Sequence, residues 1–211
     1  IECLFKYVTL TNERRLMGRQ QRFDADEVID KVICVFMSKG YEATSVKDLI
    51  DATNVHPGSL YNSFGNKKQI YQHALNRYVS TSPFNRLLED AESGNPKKKL
   101  EKLFSDTISM AVNESEPRGC LITNTAAELG GVDPKTSEWV LKSFKKTEDQ
   151  ICRLIERGQE LGQFKSEENA RKLAQFIFNT TQGIQLLAKV NQDRKMLKGI
   201  ARTAMNSLNS L

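Results

Sequence analysis

The stretch from Thr44 to Lys67 constrains the fold of this 211-residue chain more than any other, and its sequence is TSVKDLIDATNVHPGSLYNSFGNK. Apolar residues within it recur at helical spacing in two short groups. The first group, which follows a helix start at Thr44 or Ser45, is Val46, Leu49 and Ile50, and the second is Leu60 and Phe64. Because only three or four residues separate the two segments, the pattern predicts a helix-turn-helix.

The connection between the two segments has the residue types that a tight turn needs. Asn54 enters the left-handed backbone region at low cost, and Pro57 suits the first turn of a helix, where no amide donor is required. Two short helices joined so closely must cross steeply, which leaves the outer face of the second helix free of the core.

That outer face carries short polar side chains. His56, Ser59 and Asn62 are small enough to approach base edges in a major groove, and Gly58 allows the backbone to come close. An ordinary helical corner of a globular core is the alternative interpretation of a generic helix-turn-helix pattern.

The full run T-S-V-x-x-L-I followed by V-H-P-G-S-L-Y-x-x-F-G-N-K resembles the DNA-binding signature of TetR-type bacterial transcriptional regulators, over roughly Arg22 to Tyr78. In that family a phosphate-contacting Tyr follows a Leu in the recognition helix, and a Lys opens the next helix; Tyr61 and Lys67 occupy those positions. The family usually has Gly at the position of Asn54 and Ser or Thr at that of His56, which predicts a weaker helix cap here. The expected DNA-contacting residues are Thr44, Lys47, His56, Pro57, Gly58, Ser59, Tyr61, Asn62 and Lys67.

Apolar spacings of three and four and the absence of long alternating stretches predict an all-α protein. We expect about nine to ten helices in two domains: an N-terminal three-helix DNA-binding domain with its connecting helix over residues 17–80, and a helical ligand-binding and dimerisation domain over residues 81–211. Residues 1–16 are interpreted as a tail or a mis-annotated leader, with Met17 as a plausible start. A basic arm reaching the minor groove through Arg14, Arg15 and Arg19 is the alternative.

Two long segments near the C-terminus carry apolar stripes with strictly alternating spacings of three and four, the pattern of a narrow helix–helix seam. Trp139, Phe176, Phe178 and Leu186 add apolar surface outside the stripes, so a four-helix dimer interface is expected, as in the TetR-like family; an intramolecular core is the alternative. We therefore expect a homodimer that binds a near-palindromic operator, with one recognition helix on each half. The expected interface residues are Ile151, Leu154, Leu173, Ile177, Thr180, Ile184 and Leu187.

A pocket for a small apolar or amphipathic inducer is expected inside the larger domain, where surplus apolar side chains mix with a few polar ones. A filled core is the alternative. Cys120 follows Pro117-Arg118-Gly119, so it is expected near a helix N-terminus, where a thiolate reactive toward electrophiles would be favoured; a small buried apolar residue is the alternative. The expected ligand-binding residues are Leu88, Phe104, Ile108, Cys120, Asn124, Thr125 and Phe144.

Composition limits the other classes of function. The net charge of +5 is compatible with double-stranded DNA as a partner. Four dispersed cysteines and two histidines predict no metal site, and no cofactor or catalytic set is indicated, so an enzyme is not expected. No apolar run has the length of a membrane span, which predicts a cytoplasmic protein. A ligand-responsive repressor is the main hypothesis, and a helical enzyme or adaptor containing a non-DNA-binding helix-turn-helix corner is the alternative.

Overall fold

The computed structural model describes residues 23–82, 93–112 and 119–209, and the chain divides into two compact units between Tyr78 and Val79. The described residues form helices and turns without strands, so the predicted all-α class is confirmed. The predicted leader over residues 1–16, the predicted short helix from Phe84 to about Glu92 and the ligand candidate Leu88 lie outside the described residues.

The N-terminal unit contains α1 (Ala25–Lys39), α2 (Val46–Thr53), α3 (Pro57–Phe64) and the start of α4 (Lys67–Thr81). Asp24 caps α1, because its carboxylate accepts hydrogen bonds from the amides of Asp26 and Glu27. Each of the four helices contributes at least one fully buried apolar side chain to a common core. These side chains are Val32, Phe36, Leu49, Leu60 and Ile70. The helix-turn-helix is thus seated on α1 and α4.

A half-buried ion-pair cluster joins α1 to α4. The Arg77 guanidinium donates to both carboxylate oxygens of Asp30, at 2.5 and 2.7 Å, and lies 2.7 Å from Asp26. The planar guanidinium fits this two-pronged arrangement, and its geometry fixes the register between the two helices. These supports determine the position of α2 and α3.

The second unit contains α5 (Pro96–Ala111), α6 (Leu121–Leu129), α7 (Pro134–Glu160), α8 (Ala170–Leu187) and α9 (Arg194–Ser207). The long helices α7 and α8 pack against each other, and Arg171 of α8 bonds to Glu148 and Asp149 of α7. The core between α5, α7, α8 and α9 includes Leu103, Leu154, Ile155, Ile177 and Leu197. None of the described helices has the length and hydropathy needed to cross a lipid bilayer.

The predicted interface stripes occupy this core. Five of the seven expected interface residues are at most 6% exposed within a single protomer, and they are Ile151, Leu154, Leu173, Ile177 and Ile184. The physical reason is that α7 and α8 turn these stripes toward each other and toward α5 and α9. These five side chains are therefore inaccessible to a second copy of the chain. The other two expected interface residues, Thr180 and Leu187, are partly exposed.

Candidate nucleic-acid interface

The start of α2 is fixed by a reciprocal capping box. The Ser45 hydroxyl accepts from the Asp48 amide at 3.1 Å, and the Ser45 amide donates to the Asp48 carboxylate at 2.7 Å. Lys39, at the end of α1, also donates to Asp48, at 2.6 Å. The Lys39 ammonium first, and then the Ser45 hydroxyl and amide, hold the pKa of the Asp48 carboxyl far below its usual value. These contacts attach α2 to the end of α1.

The turn between α2 and α3 depends on Asn54. Its backbone is left-handed, with φ 56° and ψ 30°, and it is the one non-glycine residue with positive φ among those described. Its amide donates to the Ile50 carbonyl at 2.8 Å, while the Thr53 hydroxyl donates to the Leu49 carbonyl at 2.7 Å. The predicted turn residue is confirmed, and the next residue, Val55, is buried beneath the turn.

The start of α3 is capped by a histidine ring. His56 Nδ1 accepts a hydrogen bond from the Gly58 amide at 3.2 Å, and Pro57 occupies the first helical position. The imidazole therefore performs the capping role that a Ser or Thr hydroxyl would otherwise perform. With Nδ1 as the acceptor, the neutral ring carries its proton on Nε2, which makes Nε2 a hydrogen-bond donor.

The two faces of α3 have opposite character. Leu60 and Phe64 are buried against the unit, at 0% and 8% exposure. The structure brings six of the nine expected DNA-contacting residues together on the exposed side, and they are His56, Pro57, Gly58, Ser59, Tyr61 and Asn62. Short polar groups on an exposed helix can reach base edges, and Tyr61, 40% exposed, presents a longer hydroxyl.

Gly58 is not required by the packing of this unit. A Cβ built at this position would meet only the His56 ring, at 3.4 and 3.7 Å, which is ordinary van der Waals contact. By contrast, Gly65 has φ 79°, where a side chain would be strained. The bare backbone at Gly58 therefore leaves room for something outside the protomer.

Lys67, the first residue of α4, is held in place by the loop after α1. Its ammonium lies 4.4 Å from the centre of the Tyr41 ring and donates to the Glu42 carbonyl at 3.3 Å. A positive charge at a helix N-terminus is a suitable phosphate contact, because the free amides there attract anions. Sequence reasoning missed Tyr41 and Glu42 as supports, since 25 or more residues separate them from Lys67.

The last two expected DNA-contacting residues differ in availability. Lys47 is exposed and pairs with Asp51 at 2.6 Å, a surface ion pair weak enough to exchange for a phosphate. Thr44 is only 1% exposed, and its hydroxyl donates to the Gly40 carbonyl. The Thr44 side chain is therefore used to close the loop after α1, and it is removed from the expected contact set.

The expected ligand-binding residues are spread over several environments in the second unit. Phe104 and Ile108 border a half-open cavity of about 300 Å³ between α5 and α9. Elsewhere, Phe144 packs edge to face on Phe178 with ring centres 5.2 Å apart. This cavity lies between α5 and α9. The predicted inducer pocket, between the short helix near Leu88, α5, α6 and α7, includes residues outside those described and stays a prediction.

The α6 candidates are occupied with local contacts. The buried Thr125 hydroxyl donates to the Leu121 carbonyl at 2.6 Å, and the Asn124 amide oxygen accepts from Lys189 at 3.1 Å. Cys120 is half-buried and is the N-cap residue of α6, but its side chain makes no capping hydrogen bond. Within the described residues, no group of three His, Cys, Asp or Glu side chains is arranged to hold a metal ion.

Two family models match the chain. Residues 29–74 match the model described as "Bacterial regulatory proteins, tetR family", and residues 96–204, just over half of the chain, match "Tetracyclin repressor-like, C-terminal domain". The first match contains the whole helix-turn-helix described above, and the second contains α5 to α8 and most of α9.

Relatives of similar length match most of the chain. The chain is 26% identical to the uncharacterized HTH-type transcriptional regulator YezE of Bacillus subtilis over 184 residues, which cover 86% of this chain and 94% of YezE. It is 25% identical to the HTH-type transcriptional repressor ComR of Escherichia coli over 196 residues, covering 91% and 92%. A solved structure of a cysteine mutant of the TetR family regulator CifR with 26-bp operator DNA has a similar fold, with a TM-score of 0.75, 23% identity and coverage of 90% and 99%.

The two model matches agree with the geometry of α2 and α3 and with the all-helical second unit. The family consists of transcriptional regulators. The chain therefore belongs to the TetR family of DNA-binding bacterial transcriptional regulators.

Proposed function

We propose that the protein is a dimeric repressor that binds a near-palindromic operator in the cytoplasm and is released from it by a small molecule. The observation that carries this proposal is the exposed polar face of α3, whose opposite face is fully used in packing. Among the relatives, ComR is named a repressor, and the CifR structure contains operator DNA. Both support the same mode of action here.

On DNA, the residues of the interface divide into two roles. His56, Ser59 and Asn62 contact base edges, with Nε2 of His56 as a donor to a base or phosphate acceptor. Tyr61, Lys47 and Lys67 contact phosphates, which fix the orientation of α3 but carry no sequence information. Close approach of the helix requires Gly58 to lack a side chain.

The dimer surface in this proposal is the outer face of α8. Phe176, Thr180, Gly183 and Leu187 follow one another at spacings of four, three and four, and Leu186 and Val190 border them. Phe176 is 49% exposed and Leu186 56%, and a Cβ at Gly183 would meet open space. An apolar helix face with a glycine at its centre permits close packing of a second copy of α8.

For the ligand, we propose the inner face of α7 as one wall of the binding pocket. Gln150 is 3% exposed, and its side-chain oxygen has no hydrogen-bond partner in the described part of the chain. Thr147 and Leu154 flank it on the helix, at one turn in either direction. A buried acceptor without a donor costs stability, which a ligand carrying a hydroxyl or N–H group would restore.

The test is an electrophoretic mobility shift with DNA from upstream of the protein's own gene, using the wild type and the Ser59→Ala/Asn62→Ala double variant. The proposal expects a sequence-specific shift by the wild type and a weaker shift by the double variant. If the wild type binds this DNA no better than a scrambled duplex, the alternative of a non-DNA-binding helix-turn-helix corner is supported.

A further inference from the structure

The cavity between α5 and α9 is lined by two chemically different groups of residues. Phe104 and Ile108 of α5 and Ala201 and Met205 of α9 give it an apolar floor. Ser105 and Ser109 add hydroxyl groups to the lining. Its volume of about 300 Å³ is at the lower end of the range for small-molecule sites.

The second group of lining residues is mainly basic. Arg194, Lys198 and Arg202 line it from α9, at successive spacings of four, so the three charges lie on one face of the helix. Glu101 is the one acidic residue in the lining, which leaves two net positive charges (three minus one). Like charges four residues apart repel each other on a helix face. An anion bound from outside α9 would reduce this repulsion.

The protein itself supplies little of that compensation. Arg194 donates to the Val112 carbonyl at 3.2 Å, a neutral acceptor. Within residues 23–82, 93–112 and 119–209, no carboxylate forms an ion pair with Lys198 or Arg202. Two cations beside an apolar floor are therefore available to an anionic ligand.

We propose that this groove, lined by Phe104, Ile108, Lys198, Ala201, Arg202 and Met205, binds a small amphipathic carboxylate, with its carboxylate on Lys198 and Arg202 and its hydrocarbon part on the floor. Because one water molecule occupies about 30 Å³ of the liquid, a volume of about 300 Å³ holds on the order of ten water-sized groups. Octanoate has that size. A free phosphate would use the cations but leave the apolar floor wet, so the floor favours a carboxylate with a hydrocarbon chain.

This site is separate from the α7 face proposed above for the inducer, and binding there does not depend on the repressor function. Its test needs no DNA. Isothermal titration of the full chain with sodium octanoate, at concentrations below micelle formation, should show saturable binding of one octanoate per protomer. Acetate, which lacks the chain, and octylamine, which reverses the charge, are the ligand controls.

Variants identify the location. Arg202→Gln and Lys198→Gln should each weaken octanoate binding about tenfold, because each removes one charge-assisted hydrogen bond. Lys195→Gln is the matched control, since Lys195 is exposed on the same helix but does not line the groove. Circular dichroism melting confirms that the exposed substitutions leave the fold intact.

The outcomes separate clearly. Saturable octanoate binding that is lost in the Arg202 and Lys198 variants and kept in the Lys195 variant supports the site. Absence of saturable octanoate binding, equal binding of octylamine, or equal weakening by Lys195→Gln would each overturn it.

Discussion

Nδ1 of His56 and the amide of Gly58 are joined by a 3.2 Å hydrogen bond, so the helix proposed to enter the DNA groove is capped by one of its own DNA-contacting residues. The ring is thereby oriented by its cap and has Nε2 left as a donor. The same bond places the ring within van der Waals distance of a side chain added at Gly58. Fold and recognition can therefore be separated at Gly58 by a small substitution.

Gly58→Ala should leave the fold intact and weaken operator binding. The added methyl group makes ordinary contacts with His56, and Ala favours helix over Gly, so the free energy of unfolding should stay the same or rise by up to about 1 kcal/mol. Operator affinity should fall at least tenfold, because the methyl group blocks close approach. Chemical denaturation and fluorescence anisotropy measure the two effects.

The matched control for that substitution is Gly199→Ala, on α9, where a Cβ meets open space. It should raise stability by a similar amount and leave operator affinity unchanged. Wild-type operator affinity in Gly58→Ala would contradict the assignment of α3 to the groove.

Lys67→Ala should weaken binding to all DNA sequences alike. Because the Lys67 ammonium is proposed to replace a counterion on one phosphate per protomer, the slope of log affinity against log salt should flatten by about 0.9 per protomer. Lys31→Ala is the control, because Lys31 lies on α1 in an exposed pair with Glu27. An unchanged slope in Lys67→Ala would remove Lys67 from the interface.

The support for Lys67 is tested separately. Tyr41→Leu removes the aromatic ring beneath the Lys67 ammonium but leaves the positive charge of Lys67 in place. A modest loss of affinity with an unchanged salt slope is expected, since the phosphate contact is loosened and not deleted. Affinity measured at several salt concentrations distinguishes this result from that of Lys67→Ala.

Adjacent residues on α8 separate dimerisation from folding. Phe176 is 49% exposed, whereas Ile177 is fully buried. Phe176→Glu should give a folded monomer that loses most operator affinity, while Ile177→Glu should unfold the second unit, because it buries an unpaired charge. Light scattering and circular dichroism provide the measurements. A Phe176→Glu variant that remains a dimer would place the interface elsewhere.

This pair also shows what could be predicted from the sequence. Spacings of three and four correctly indicated helices at α7 and α8, but an apolar stripe looks the same whether it faces its own core or a second copy. Ile177 and Ile184 are on the core side, while Phe176 and Leu186, noted only as surplus apolar surface, are exposed. Deciding between them required the packing of α5 and α9.

Local chemistry was more predictable than long-range contacts. Asn54 was identified as the turn residue because few other side chains tolerate its backbone geometry. His56 was placed at the cap position with a weaker cap expected, but the hydrogen bond from the Gly58 amide to its ring was not foreseen, because histidine is an uncommon helix cap. The support of Lys67 by Tyr41 depends on the tertiary fold and leaves no signal in the sequence near either residue.

Because the pKa of Asp48 is lowered in the folded state, we expect the protein to lose stability in acid. Lys39 and Ser45 lower the pKa of the Asp48 carboxyl in the folded state. The ionised carboxylate therefore contributes fully to the free energy of unfolding above the ordinary aspartate pKa of about 4. That contribution is lost as the pH falls from this value toward the folded-state pKa. Asp48→Asn should therefore be less stable than the wild type at neutral pH, and the difference should shrink below about pH 4. Denaturation across that range is the measurement, and a pH-independent difference would contradict the assignment.

Gln150→Met should stabilise the protein and impair its response to a small molecule. The buried Gln150 oxygen has no partner among the described residues, so replacing the amide with an apolar chain of similar length removes an unpaired acceptor and should raise the free energy of unfolding by about 1 kcal/mol. Gln185→Met is the matched control, because the Gln185 oxygen accepts from the Thr123 hydroxyl at 3.2 Å, and its loss should give no gain. Chemical denaturation of both variants measures this contrast. Destabilisation by Gln150→Met would show that ordered water already satisfies the oxygen, and the proposed ligand contact at Gln150 would then lose its support.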